Sequence, residues 1–341
     1  MTRRVYCTCF DHRYLPRGLA LIDSLRRHGA DDTIFVLCLN DLCFQAMTAL
    51  AIPGVSLVQI QDLENTFPGL SDAKATRTTI EFYYTCSPAI TEFALNNAPD
   101  AQSVAYLDAD LWFFDSPDAV YAEIGDASTA IIPHNFAKHR KKREKFGVYN
   151  VGWVSFARSE EGMRCLRWWR ESCVRWCYGR VEGDLFADQG YLSQFASIAP
   201  GTKVLRQKGA NTAPWNIGNY RVSRRGDRVY VDDDPLVFFH FHGVDRDFGI
   251  FYFDNHRLYG APHTISIRND IYRPYIADLL KMEVLARSVL PEAGASRVAL
   301  RGSSFLGIDL KNLRRQTQRK VFEVLDLASG RPILTWNDRA F

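Results

Sequence analysis

Short apolar runs of β-forming residues, separated by helical patterns, constrain this chain most. Val5–Cys9, Thr33–Leu39 and Val55–Ile60 read as buried strands. Between the first two, Arg17–His28 reads as an amphipathic helix with Leu19, Ile22 and Leu25 inward, stopped by Gly29. Strands alternating with helices imply an α/β fold: a Rossmann-like, mostly parallel central sheet with helices on both faces. In such sheets ligands bind beyond the carboxyl ends of the strands. Thr8, Phe10, Asp11, Tyr14, Asn40 and Asp41 therefore line the expected ligand edge. No Gly-x-Gly-x-x-Gly and no Walker-type loop is present, which argues against a dinucleotide or ATP site of those kinds.

The stretch VAYLDADLWFFDSP, Val104–Pro117, carries the chemistry. A short apolar strand ends at Leu107, Asp108 and Asp110 follow, and a second apolar run, Leu111–Phe114, comes next. Burying charge is costly unless it is paired or bound to a metal. Along an extended chain residues two apart point the same way. Two hard oxygen ligands on one side suit Mg²⁺ or Mn²⁺, which would in turn hold phosphate oxygens. A strand-end turn with two solvated acids is the plainer alternative.

Composition narrows the class. The chain has 341 residues, 47% of them hydrophobic, ample for a large core. A net charge of +3 is too small to argue for nucleic acid, although basic runs occur at His139–Lys145 and Arg314–Lys320. No apolar stretch is long enough to span a membrane, and the N-terminus leads into a strand rather than an apolar signal region. The eight cysteines show no tight spacing and read as reduced packing residues, which implies a cytosolic compartment.

Further along, Asp72–Leu95 reads as largely helical and broken near Pro88, with Lys74 and Arg77 in its first half. Arg77 is either solvated or a phosphate contact, for which its fork is suited. A strand at Ala130–Pro133 ends in His134-Asn135-Phe136. The run His139–Lys145 reads as a mobile surface loop, or as a lid over an anionic ligand. Val148–Phe156 is a strand containing Asn150 and Gly152, and glycine there often marks a close approach.

Glu160–Tyr178 reads as a helix with Met163, Leu166, Trp169, Cys173 and Cys177 on its core face. Asp188-Gln189 precedes an apolar turn, and Trp215-Asn216 lies in a loop. Leu236–Gly243 delivers His240 and His242, spaced as metal ligands on a strand can be. Arg268–Val289 reads as a helix with Ile276, Leu279, Leu280, Val284, Leu285 and Val289 at helical spacing. Pro291–Ser296 reads as a linker, and Arg297–Asp326 mixes short apolar runs with basic residues. The expected division is a domain over residues 1–262 and a helical extension over 263–341. The extension reads as a packing subdomain, with a membrane-surface helix as the alternative.

Taken in order, these elements resemble nucleotide-sugar glycosyltransferases of the GT-A fold, of the type of glycogenin and the lipopolysaccharide galactosyltransferases. The resemblance rests on Asp11-x-x-Tyr14, Tyr106-Leu107-Asp108-Ala109-Asp110, Tyr149-Asn150-Val151-Gly152, Asp188-Gln189, Trp215-Asn216 and His240-Phe241-His242-Gly243. It covers residues 4–245.

The resemblance implies a metal-dependent transferase that moves a sugar from a nucleotide donor, with UDP favoured, to a saccharide or glycolipid hydroxyl with retention. Asp108, Asp110 and His240 would hold Mn²⁺ or Mg²⁺. Asp188, Gln189 and Asn150 would surround the donor sugar. Thr8, Phe10, Asp11, Tyr14, Arg77, Leu107, Asp108 and Asp110 would bind the nucleotide. His134, Asn135 and the 138–145 loop would face the acceptor. His242 is an additional imidazole. The family's Lys-Pro-Trp is replaced here by Val244-Asp245-Arg246-Asp247, so Arg246 or a loop arginine would have to meet the diphosphate.

A nucleotidyltransferase also uses paired acids, but its Gly-rich N-terminal loop is missing between Thr8 and Gly18. A degenerate sugar-binding module is the non-enzymatic alternative, and the retained Asp108, Asp110 and His240 argue against it. The expected location is the cytoplasm, with peripheral contact at the inner face of a membrane as a variant.

Overall fold

The computed structural model describes residues 4–29, 32–247, 251–293, 321–323, 325–326, 329–336 and 339–340. The basic run Arg314–Lys320 and most of 297–326 lie outside them.

The N-terminal half alternates as expected: β1 Val5–Phe10, α1 Leu15–Arg26, β2 Thr33–Cys38, α2 Asp41–Leu50, β3 Val55–Gln59 and α3 Ile60–Thr66. Next come α4 Leu70–Thr76, α5 Thr79–Asn96, β4 Ser103–Leu107, β5 Leu111–Phe113, α6 Asp118–Ile124, β6 Thr129–Pro133, β7 Tyr149–Ala157 and α7 Glu160–Arg175. Shorter pieces follow: α8 Phe195–Ile198, β8 Thr202–Val204, β9 Val222–Arg225, β10 Arg228–Val231, β11 Asp234–Pro235, β12 Phe238–His240, β13 Asp245–Asp247 and β14 Phe251–Phe253. The chain ends with α9 His256–Tyr259, α10 Arg273–Val289, β15 Ile333–Trp336 and β16 Arg339–Ala340.

The central sheet has seven strands in the order β3-β2-β1-β4-β7-β6-β8. Its pairs are parallel except those made by β7, which runs against both β4 and β6. Separate cores fill its two faces. One gathers α5 and α7 through Phe82, Ile90, Leu166 and Trp169; the other gathers α1 and α2 through Leu19, Ile22 and Met47. The expected α/β architecture is therefore present.

Helix breaks follow capping chemistry rather than proline. The chain is extended at Arg77, and Thr78 and Glu81 then form a reciprocal capping box that starts α5. Pro88 lies inside α5, so the break expected near it is found instead at Arg77-Thr78. In α7 the expected face holds, with Leu166, Trp169 and Cys173 fully buried.

The C-terminal part is not helical alone. β15 pairs with β14, so the last described strands join a sheet with residues on the other side of position 262. α10 docks on α1 and on the strand after the paired acids. There Asp278 Oδ2 accepts from Trp112 Nε1 at 2.8 Å and from Arg27. Ile276, Leu279 and Leu280 face this core, whereas Val284 and Leu285, at the same helical spacing, are exposed. Among the described residues no helix is long and apolar enough to cross a membrane.

Candidate functional site

Strand β4 ends at Leu107, and Leu111 N–H donates to Asp108 C=O at 3.1 Å, closing the turn that carries the two acids. β5 then pairs antiparallel with β12, setting Leu111 opposite His240. Phe241 N–H donates to Asp110 C=O at 2.9 Å, which locks that register. A residue 130 positions away is thereby delivered to the acid pair. His240 Nε2 lies 2.9 Å from Asp110 Oδ1 and 3.8 Å from Asp108 Oδ2. The side chains are 4% (His240), 11% (Asp110) and 29% (Asp108) exposed, so a closed floor has one open corner.

The other side of the imidazole is fixed as well. Gly152 N–H donates to Asn150 Oδ1 at 2.9 Å, which orients the amide. The same oxygen lies 3.2 Å from His240 Nδ1, with Asn211 Oδ1 at 3.4 Å. Carboxamide oxygens only accept, so Nδ1 carries the proton and donates to them. Asn150 Nδ2 lies 3.3 Å from His134 Nε2, whose ring stacks on Phe136 with centroids 4.6 Å apart. A Cβ on Gly152 would lie 2.5 Å from Asn150 Oδ1 and 2.9 Å from His240 Nδ1. What approaches this glycine is a set of side chains, Asn150 and then His240, rather than a ligand or another backbone. Trp215 sets its edge against His240 and His242, centroids 4.9 and 5.6 Å away.

Burial and mutual charge divide the acids. Burial pushes Asp108 above the ordinary carboxylate range, against the pull of His240, and Asp110 adds to the push. Burial also works against Asp110, but His240 holds it below that range by charge and hydrogen bond. His240 is raised in return: Asp110 outweighs the effect of burial. Asp188 is pushed to about 7, first by burial and then by Asp108. Burial lowers His134 to about 3.

The residues expected at the site separate into those gathered and those used elsewhere. Asp108, Asp110, His240, Asn150 and Asp188 come together. Gln189 Nε2 instead donates to Phe146 C=O and ties down the basic segment. Asp11 Oδ1 accepts from Arg13 N–H and Tyr14 N–H, ordering the turn into α1. Tyr14 lies under the Arg17 guanidinium, 4.7 Å from ring to cation. Thr8 is buried, and its hydroxyl has no hydrogen-bond partner among the described residues.

Four expected nucleotide contacts are packed or engaged elsewhere. Phe10 and Leu107 are core residues, about 1% exposed. Arg77 donates to Thr85 Oγ1 and Val174 C=O and covers the Tyr178 ring, joining α5 to α7. Arg246, expected to replace the missing lysine, pairs with Glu283 at 3.0 Å.

The segment expected as a loop or lid is a run of 3₁₀ turns, Lys138–Phe146. It is docked: His139 Nε2 and Arg140 Nε lie 3.0 and 2.9 Å from Tyr259 C=O, and Arg143 covers the Tyr259 ring. Sequence reading passed over Asn211, which sits at φ 56°. Asparagine tolerates that conformation, and its place just before Thr-Ala-Pro-Trp was the available signal. It also passed over Arg17, which reads in sequence as the polar side of α1.

Asp110, His240 and His242 each offer a ligand atom, and these atoms lie within 4.8 Å of one another. One carboxylate oxygen with two imidazole nitrogens, and Asp108 beside them, fits a divalent transition ion such as Mn²⁺.

Sequence comparison places these residues among relatives. The uncharacterized protein YfnF of Bacillus subtilis (strain 168) is 31% identical over 246 residues, 70% of this chain and 80% of YfnF. The chain belongs to the YfnF family. The uncharacterized protein YfnD of the same organism is 29% identical over 294 residues, 84% of this chain and 92% of YfnD. No family model matches.

Similar solved structures are glycosyltransferases. The galactosyltransferase LgtC, in complex with donor and acceptor sugar analogues, shares 17% identity over 71% of this chain and 90% of its own, with a TM-score of 0.49. The glycosyltransferase GlyE of Streptococcus pneumoniae TIGR4 shares 15% over 86% of this chain and 64% of its own, with a TM-score of 0.49. Mouse xyloside xylosyltransferase 1 shares 12% over 71% and 98%, with a TM-score of 0.44.

Proposed function

We propose that this chain is a metal-dependent glycosyltransferase of the GT-A type. It moves a sugar from a nucleoside-diphosphate sugar, by preference UDP-linked, to a hydroxyl of a saccharide or glycolipid, with retention. The observation that carries this reading is the 2.9 Å approach of His240 Nε2 to Asp110 at the carboxyl end of β4, with Asp108 alongside.

Asp108, Asp110 and His240 would hold Mn²⁺ or Mg²⁺, with His242 as a further ligand. A bound divalent ion would supply charge stabilisation for the departing diphosphate. Asn150 keeps the His240 lone pair on the side of the acids. Asp188, buried and within charge range of Asp108, would hold a donor-sugar hydroxyl. Nucleotide groups would meet β1 and the turn of Asp11 and Tyr14. The acceptor would enter past His242, the exposed member of the set. The eight cysteines are all free thiols, which supports a cytoplasmic location.

The test is turnover. With Mn²⁺, a panel of sugar nucleotides is incubated with and without simple saccharide acceptors, and release of the nucleoside diphosphate is followed. Release from one UDP-sugar that stops on chelation, with the product anomer matching the donor by NMR, is the expected result. No release from any sugar nucleotide by folded protein would overturn the reading.

A further inference from the structure

Arg17 lies in the first turns of α1, directly after the turn built by Asp11 and Tyr14. It is partly buried between Tyr14 and the chain that follows His242. Its guanidinium donates to Val244 C=O at 2.7 Å and covers the Tyr14 ring at 4.7 Å. A buried guanidinium normally has a carboxylate against it, because its desolvation is otherwise uncompensated. Among the described residues no carboxylate lies within 4.0 Å of Arg17. The nearby acids, Asp245 and Asp110, act on it only from beyond ion-pair distance. Val244 C=O takes a hydrogen from one nitrogen, and the Nε and the other terminal nitrogen make no hydrogen bond among the described residues.

Several other cations of this region are engaged. Arg246 is paired with Glu283, and Arg140 is bound to Tyr259 C=O. Arg143 lies over the Tyr259 ring. Arg77 is tied into the junction of α5 and α7. Arg17 therefore stands beside the acid cluster with donors left over, on the edge where an anionic ligand of that cluster would lie.

We infer that Arg17 is the diphosphate-binding cation of this site, taking the place of the lysine absent after Gly243. The inference rests on the function proposed above. A guanidinium carries five N–H donors, and those of Arg17 not given to Val244 C=O are available to phosphate oxygens. Val244 C=O and the Tyr14 ring hold the fork in place before the ligand arrives, so less side-chain freedom is lost on binding.

The experiment measures binding by calorimetry on full-length wild type, Arg17→Gln and Arg17→Lys. The probes are Mn²⁺ alone, then UDP, UMP and uridine in excess Mn²⁺. The expected result is an about tenfold or greater loss of UDP affinity in Arg17→Gln. Affinity for Mn²⁺ and uridine should be unchanged, and Arg17→Lys should be intermediate. If Arg17→Gln fails to fold, as judged by its melting temperature and far-UV spectrum, Arg17→Lys must still bind UDP several-fold more weakly. UDP affinity equal to wild type in the folded variant would overturn the role of Arg17 and leave the proposed function standing. Absence of UDP binding by wild type would overturn both.

Discussion

His240 Nδ1 lies 3.2 Å from Asn150 Oδ1, and Asn150 takes that position because Gly152 N–H donates to the same oxygen. The resemblance implied that Asn150 holds the donor sugar. Its amide oxygen also fixes which nitrogen of His240 faces the acids.

Removing that acceptor should weaken the metal site. Asn150→Leu leaves Nδ1 with Asn211 alone and is expected to lower Mn²⁺ affinity about 10–100-fold. Asn150→Asp, which keeps an acceptor oxygen, should lose less. Titration of Mn²⁺ against the two variants measures this, and equal affinity in Asn150→Leu and wild type would contradict it.

Gly152→Ala presses on the same contact from the backbone side, since its Cβ would come 2.9 Å from His240 Nδ1. The Asn150 amide, which that Cβ would approach to 2.5 Å, and the imidazole must shift, or β7 must move. The expected cost is about 1–3 kcal/mol of stability with loss of Mn²⁺ binding. Chemical denaturation and metal titration on one preparation would check both effects. A variant that folds and binds Mn²⁺ like wild type would contradict the packing described here.

A second acid, far along the chain, sets part of the acid stability. Burial works against the Asp254 carboxylate, but His256 and His263 together hold it at about 2. His263 Nε2 lies 2.9 Å away. The folded value lies below the unfolded one, so the stabilisation is complete above about pH 4 and is lost as pH falls toward 2. Its size is about 2 kcal/mol at 1.36 kcal/mol per unit. Denaturant unfolding from pH 5 to pH 2 should therefore fall less steeply for Asp254→Asn than for wild type. Parallel pH profiles would contradict this.

The layers of the fold were legible because strand runs and helix periods are local signals. So was the acid pair, because a buried strand that ends in two carboxylates is costly without a purpose. His240 was found through its resemblance to a known order of motifs. What brings it to Asp110 is the β5–β12 register, a non-local pairing no sequence window contains. Arg77 and Arg17 show the limit most clearly. Both are arginines near the ligand edge in sequence, yet one staples two helices and the other keeps donors unspent. Only the packing partners of α5, α7 and the 241–247 segment decide between them. The break at Arg77-Thr78 was missed for a different reason: a capping box starts a helix more firmly than an internal proline ends one.

The most direct measurement is a thermal-shift panel of UDP, GDP, CDP and dTDP, each with Mn²⁺, Mg²⁺ or EDTA, on wild type and Asp110→Ala. A ligand that binds only the folded state raises the melting temperature, so a metal-linked site has a defined signature. The account predicts stabilisation by UDP that requires the ion and vanishes in Asp110→Ala. No shift with any nucleotide and ion in folded wild type, or an equal shift in Asp110→Ala, would contradict it.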